Sequence, residues 1–263
     1  MIRILTLTIL LILFSTMAVF SFDHQYTSYA DFLAAHVSDG LVDYKKIKAD
    51  ANLINKALNE FTSLTKLQYD KFSREEKIAY LINGYNLFTI KAIVDHYPVK
   101  SIKDIRGVWN KLKFTIAGQR LTLDNIEHDI LRKEFKEERI HVAVVCASIS
   151  CPELWHQPFR PDSLHYQLTL RAQAFANDPE RNEIRIEEGY FKLSKILDWY
   201  GDDFKENYSH DKNFPYLYGK KRAAANFIFE HLEPEVQKKM GTRKIKIGYL
   251  GYDWDLNEKP STD

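Results

Sequence analysis

The chain has 263 residues, 37 Lys and Arg against 36 Asp and Glu, 45% hydrophobic and 13% aromatic residues, and two cysteines. This is material for a packed core, and it excludes a disordered chain, a collagen-like repeat and a cysteine-stapled miniprotein. A formal charge of +1 without long single-sign runs gives no electrostatic reason to expect a nucleic-acid or anionic-membrane partner.

The N-terminus carries one basic residue, Arg3, and then 17 uncharged residues from Ile4 to Phe20. Val19 and Ser21 suit the small-residue positions of a signal-peptidase site, with cleavage before Phe22. The pattern predicts a signal peptide over 1–21 and export of a single domain, 22–263, to a periplasmic or secreted location. A retained anchor is the alternative, because the run approaches the roughly 20 residues needed to span a bilayer. Thr6, Thr8, Ser15 and Thr16 dilute it, however, and polar Asp23-His24-Gln25 follows. Cleavage would remove Arg3, leaving no net charge and no further run of spanning length.

Residues 28–38 and 51–64 read as amphipathic helices, broken by Gly40 and Asp43. Ser73 to Glu76 has capping-box spacing and opens a strong helix through about His96, ended by Tyr97-Pro98. Residues 112–123 alternate apolar and polar around Ala117-Gly118 and predict a β-hairpin. A further helix runs from Thr122 or Leu123 to about Phe135. Ile140 to Cys146 reads as a nearly fully buried strand. Leu164–Phe175 is helical, and Glu183 to Leu193 predicts a hairpin turning at Glu188-Gly189. Ser194 then caps a helix through Tyr200, Ala223 to Leu232 is another, and Lys244 to Leu250 is a last strand. The fold class is α+β, a helix-rich first half packed on a small, mainly antiparallel sheet.

Three segments hold polar residues where packing alone does not require them. Asn83-Gly84-Tyr85-Asn86 interrupts the strong helix, and spacing of three puts both amides on one face. They serve either as buried ties to loops or as substrate contacts. Asp124 and Glu127 open the next helix, where the helix dipole favours carboxylates, and His128 follows. The third segment, His141 to Cys151, starts on a His, ends in a Ser- and Cys-rich turn and has the look of an active-site rim. A thiolate requires a basic or cationic neighbour, yet period-two alternation puts His141 and Cys146 on opposite faces of a regular strand. They meet only where the strand bends or stops. Cys146 and Cys151, five apart, could instead form a small-loop disulfide. The spacing of His141, Cys146, Cys151 and His156 matches no common zinc pattern. The chain contains no GxSxG, HExxH, P-loop or dinucleotide glycine fingerprint, so neither metal nor cofactor is expected. Asn207-Tyr208-Ser209 is a glycosylation sequon, meaningful in a eukaryotic secretory host.

The sequence resembles the domain of unknown function 547 family. The matching stretches are Ala79–Asn86, Leu123–Arg132, Arg139–Pro152, Leu193–Phe204 and Tyr249–Asn257. The resemblance implies a distant likeness to papain- and transglutaminase-like thiol enzymes, with their α+β fold and a Cys-His site. Those enzymes place the nucleophile upstream of the His, whereas both cysteines here follow His141. The leading expectation is a thiol-dependent hydrolase or acyl transferase acting on an amide or thioester of a small-molecule or peptide ligand. Cys146 is the expected nucleophile with Cys151 as its substitute, His141 the base and Glu127 its orienter. Asn83, Tyr85, Asn86, Ser148 and Ser150 are expected to line the pocket. The alternative is a non-catalytic exported binding module with a structural Cys146–Cys151 disulfide.

Overall fold

A computed structural model describes residues 22–240 and 243–260. The expected signal peptide, residues 1–21, lies outside the described residues. The first elements are helices α1 (Thr27–His36), α2 (Tyr44–Ala49) and α3 (Asn52–Thr62). Between α1 and α2 sits a two-stranded ribbon, β1 (Val37–Ser38) and β2 (Leu41–Val42). A short helix, α4 (Lys66–Asp70), leads into the long α5 (Arg74–His96). The capping box predicted for α5 is formed: Ser73 Oγ accepts the Glu76 N–H at 3.1 Å, and the Glu76 carboxylate accepts the Ser73 N–H at 2.6 Å. Tyr97 takes an extended conformation ahead of Pro98 and stops the helix.

Between Ile78 and Val94 every residue of α5 except Lys91 is buried. A helix enclosed on all sides is a core axis rather than an amphipathic surface helix, and α2 and α3 pack against it. The predicted hairpin forms from β3 (Phe114–Ile116) and β4 (Gln119–Leu121). Its turn residues, Ala117 (φ 50°) and Gly118 (φ 65°), are both left-handed, which matches the natural twist of a two-residue hairpin. This hairpin docks on α5 where Gly84 leaves no side chain. A Cβ there would lie 2.6 Å from Ile116 Cδ1.

The helix expected near 122–135 appears as a π-helix, Asn125–Leu131. The strand expected over 140–146 does not form. A 3-10 turn, Glu138–Val142, takes its place and runs into irregular backbone. The apolar composition of this stretch correctly signalled burial, but no neighbouring strand is available to build a ladder.

The second half contains α6 (Leu164–Asn177), β5 (Glu183–Arg185), β6 (Tyr190–Leu193), α7 (Lys195–Trp199) and α8 (Lys205–Tyr208), followed by α9 (Gly219–His231), α10 (Pro234–Met240) and β7 (Lys246–Tyr249). β6 pairs antiparallel with β5 and parallel with β7. The architecture is α+β, although its strands form three separate small sheets rather than one. One apolar core surrounds α5. A second joins Phe191, Leu193, Leu197, Phe204 and Phe227, and the chain crosses between them at Val142–Ala143. Among the described residues no helix is long and apolar enough to cross a membrane.

The C-terminal segment runs back over the first half as a strap. Val42 N–H donates to Asn257 O at 2.8 Å, Lys259 N–H to Val42 O at 3.0 Å and Ile149 N–H to Asp255 O at 2.9 Å. The strap carries Tyr252 and Trp254 to the loop that bears the cysteines.

Candidate functional site

Asn86 organises the backbone that leads to the first cysteine. Its Nδ2 donates to Ala143 O at 2.9 Å and its Oδ1 accepts the Val145 N–H at 2.8 Å. The carboxamide thus does for residues 143–145 what an adjacent strand would have done. Asn83 treats Phe159 in the same way, at 2.8 and 2.9 Å. Both amides are occupied by backbone and neither lines the cavity described below. The polar atoms of Asn83 and Asn86, expected to meet substrate, are thus turned to backbone rather than to the cavity.

Beyond Val145 the chain turns sharply at Ala147, whose φ of 58° is left-handed. For an alanine this costs on the order of 1 kcal/mol. The strap offsets it through the Asn257 N–H bond to Ala147 O, and Arg181 clamps the loop through Cys151 O at 2.7 Å and Ile149 O at 3.1 Å. The turn brings the two sulfurs to 2.8 Å from each other. That exceeds the roughly 2.05 Å of a disulfide bond, and both cysteines are free.

Cys146 Sγ also meets Ser148 Oγ at 3.1 Å and Tyr252 Oη at 3.2 Å, and these two hydroxyls are 3.0 Å apart. The Cys146 N–H points at Cys151 Sγ, at 3.0 Å. This asymmetry decides where negative charge settles. Its hydrogen bond to Cys151, together with burial, pushes the Cys146 thiol well above its ordinary value. Burial alone would also raise Cys151, but the Cys146 thiol and the Cys146 N–H donate to it directly, and with the Tyr252 and Ser148 hydroxyls beside the paired sulfur they pull it down to about 7. Tyr252 stays protonated, held far above its usual range by burial and by the charge of the sulfurs.

A cavity of about 400 Å³ opens beside this pair, within the size range of small-ligand sites. Cys146, Cys151, His141 and Val144 line it from the crossing between the two cores. Tyr85, Asp124, Glu127 and His128 come from α5 and the π-helix, and Ile196, Trp199 and Tyr200 from α7 and its end. Trp109, Asn110, Tyr252 and Trp254 complete it. Ser148 stands behind the sulfurs rather than in the lining. Ser150 is also absent from the lining, with its Oγ accepting the Asp253 N–H at 2.8 Å.

His141 is buried, and its orienting carboxylate is Asp203 rather than Glu127. His141 Nε2 lies 2.7 Å from Asp203 Oδ2, while Arg132 grips the same carboxylate at 2.6 and 3.0 Å. Burial alone would raise Asp203, but hydrogen bonds from His141 and Arg132 hold it well below the usual carboxylate range. The imidazole stacks on Tyr200, with ring centroids 4.2 Å apart and planes at 14°, and Arg132 covers that ring at 4.8 Å. A carboxylate on Nε2 sets the tautomer and leaves Nδ1 as the basic nitrogen. The sulfurs' hydrogen bonds go to each other, Ser148, Tyr252 and the Cys146 amide, and none goes to His141. The two cysteines and His141 therefore share one cavity without a direct thiol–imidazole bond, and Asp203 holds the imidazole from outside the lining.

Glu127 is displaced from its expected role. Its carboxylate lies 3.7 Å from His128 Nδ1 and faces the hydroxyls of Tyr85 and Tyr200, both raised by burial and by its charge. Among the described residues no group of three or more His, Cys, Asp or Glu is arranged to hold a metal.

Sequence reasoning missed Asp203 and the aromatic lining. Asp203 is 62 residues from His141, in a stretch whose acidic pair, Asp202-Asp203, follows Trp199-Tyr200. That density of aromatics beside carboxylates was the available signal, repeated at Tyr252-Asp-Trp254-Asp.

Residues 69–176 match the family described as Protein of unknown function, DUF547. The resemblance covers α5, the hairpin, the π-helix, both cysteines and most of α6. Asp203, Tyr252 and Trp254 lie beyond the matched residues. No curated protein and no solved structure matches the chain.

Proposed function

We propose that the protein is a thiol-dependent hydrolase or acyl transferase acting on an amide or thioester, with the nucleophilic charge on Cys151. The observation that carries this reading is the dithiol pair beside a carboxylate-held histidine in one cavity. The sulfurs, Tyr252 and the Cys146 amide create the thiolate, so His141 is not needed to form it and serves the later proton transfers. Cys151 Sγ bonds to the acyl carbon. The bond to the leaving group breaks as that group takes from His141 Nδ1 the proton that Cys151 gave up, through solvent, on becoming a thiolate. A water then returns a proton to His141, attacks the thioester and releases the acid and the thiolate. The Tyr252 hydroxyl is a donor available to the oxyanion. We place this activity after export, on the strength of the uncharged Ile4–Phe20 run.

Iodoacetamide alkylation of the native protein, followed against pH and mapped by peptide mass spectrometry, tests the reading. The expected result is fast labelling at Cys151 with a midpoint near 7. Alkylation confined to alkaline pH, where an ordinary thiol ionises, defeats it. Quantitative disulfide in the native protein would favour the binding-module alternative.

A further inference from the structure

Two carboxylates, Asp124 and Glu127, line the cavity, and no Lys or Arg lines it. Glu127 is the notable one. Its side chain is 9% exposed, and its only ion-pair neighbour within 4 Å is His128, at 3.7 Å. A carboxylate removed from water without a cationic partner is costly unless something else compensates its charge. The Tyr85 and Tyr200 hydroxyls face it but bring no charge, and the Arg132 guanidinium, which acts on it only at longer range, is held by Asp203. His128 is shared with Asp124, at 3.7 Å, and with Arg132, at 3.2 Å.

The aromatic lining shapes the rest of the cavity. Trp254 already has the Lys103 ammonium over its ring at 5.1 Å, and Tyr200 has the Arg132 guanidinium at 4.8 Å. Those faces are already taken by cations of the protein itself, so the rings serve a ligand as apolar walls and the carboxylates carry the charge preference. An anionic ligand would meet two carboxylates with no Lys or Arg in the lining to balance its charge.

Resting on the thiol-site reading above, we infer that the cavity selects acyl substrates bearing a positively charged amine, with Glu127 as counter-ion and the tryptophans as apolar walls. The chemical class is an aminoacyl amide or thioester, such as the N-terminal residue of a peptide. The role of Glu127 is then to set specificity rather than to orient the histidine.

The test compares three probes that share one phenylethyl or phenylpropyl frame: 2-phenylethylammonium, neutral 2-phenylethanol and anionic 3-phenylpropanoate. Binding is read from tryptophan fluorescence, since Trp109, Trp199 and Trp254 are three of the four tryptophans. The ammonium is expected to bind roughly tenfold more tightly than the alcohol, and the carboxylate more weakly than both. Glu127→Gln should remove most of the difference between ammonium and alcohol. Asp124→Asn, at a more exposed carboxylate, should reduce it less. The wild-type comparison stands even if a variant fails to fold. The inference is overturned if the alcohol or carboxylate binds as tightly as the ammonium, if no probe saturates, or if folded Glu127→Gln keeps the full preference. Because binding is read without turnover, an inert thiol alongside an intact charge preference would defeat only the hydrolytic reading.

Discussion

Replacing Asn86 by alanine removes the one side chain that pairs with the backbone leading to Cys146. Two hydrogen bonds are lost, to Ala143 O and from Val145 N–H, at about 1 kcal/mol each in net terms. The larger loss is what remains. Ala143 and Val145 are 4% and 3% exposed, so water does not readily replace the amide, and each orphaned backbone group adds about 1–3 kcal/mol. Alanine recovers about 0.5 kcal/mol of helix propensity. The net destabilisation is therefore at least about 3.5 kcal/mol, equivalent to a fall in Tm of roughly 7–14 °C or more for a domain of this size. Urea unfolding measures the first quantity and calorimetry the second. The variant should also lose the alkylation step near pH 7, because the Cys146 amide and thiol that lower Cys151 hang from the same backbone. Asn83→Ala should lose comparable stability yet keep the alkylation step, since its partner Phe159 is not in the cavity lining. If Asn86→Ala stays within about 0.5 kcal/mol of wild type, as ordinary surface changes do, the backbone-pairing role assigned to this amide is wrong.

Gly84→Ala should destabilise by about 1–3 kcal/mol in urea unfolding, since a Cβ would stand 2.6 Å from Ile116 Cδ1. A variant more stable than wild type would mean that helix propensity outweighs the hairpin contact. Asp203→Asn should cost roughly 2 kcal/mol at pH 7, where charged hydrogen bonds to His141 and Arg132 are lost. Because the folded state depresses the ionisation of Asp203, its contribution is complete above its unfolded value near 3.9 and is lost as the pH falls through the native value. The stability gap between wild type and variant should thus narrow on acidification below about pH 4, and a gap independent of pH would refute the assignment.

Local chemistry made much of the fold legible. Ser73 and Glu76 announced the start of α5, Tyr97-Pro98 its end, and Ala117-Gly118 the hairpin, because each rule acts within a few residues. The stretch 140–146 misled because apolar runs report burial but not the partner, and its partner proved to be a side-chain amide on a distant helix. The same limit governs the site. His141, Cys146 and Cys151 stood out as neighbours in sequence. Asp203 and Tyr252, 62 residues beyond the histidine and 106 beyond Cys146, are brought there by the second core and by the strap. Glu127 was chosen from the acids upstream of the histidine, whereas the carboxylate that meets the imidazole, Asp203, comes from far downstream.

The strap also imposes an order in time. Cys146, Ser148 and Ser150 are separated by 103–106 residues from the groups of Tyr252 and Asp253 that they meet. Contacts this distant in sequence are late and slow to form. On a growing chain the thiols emerge long before Tyr252 exists to pair with Cys146 and Ser148. The hydroxyl cluster around Cys146 is closed by the last segment to arrive, and a chain stopped short of it carries both sulfurs without the Tyr252 contact.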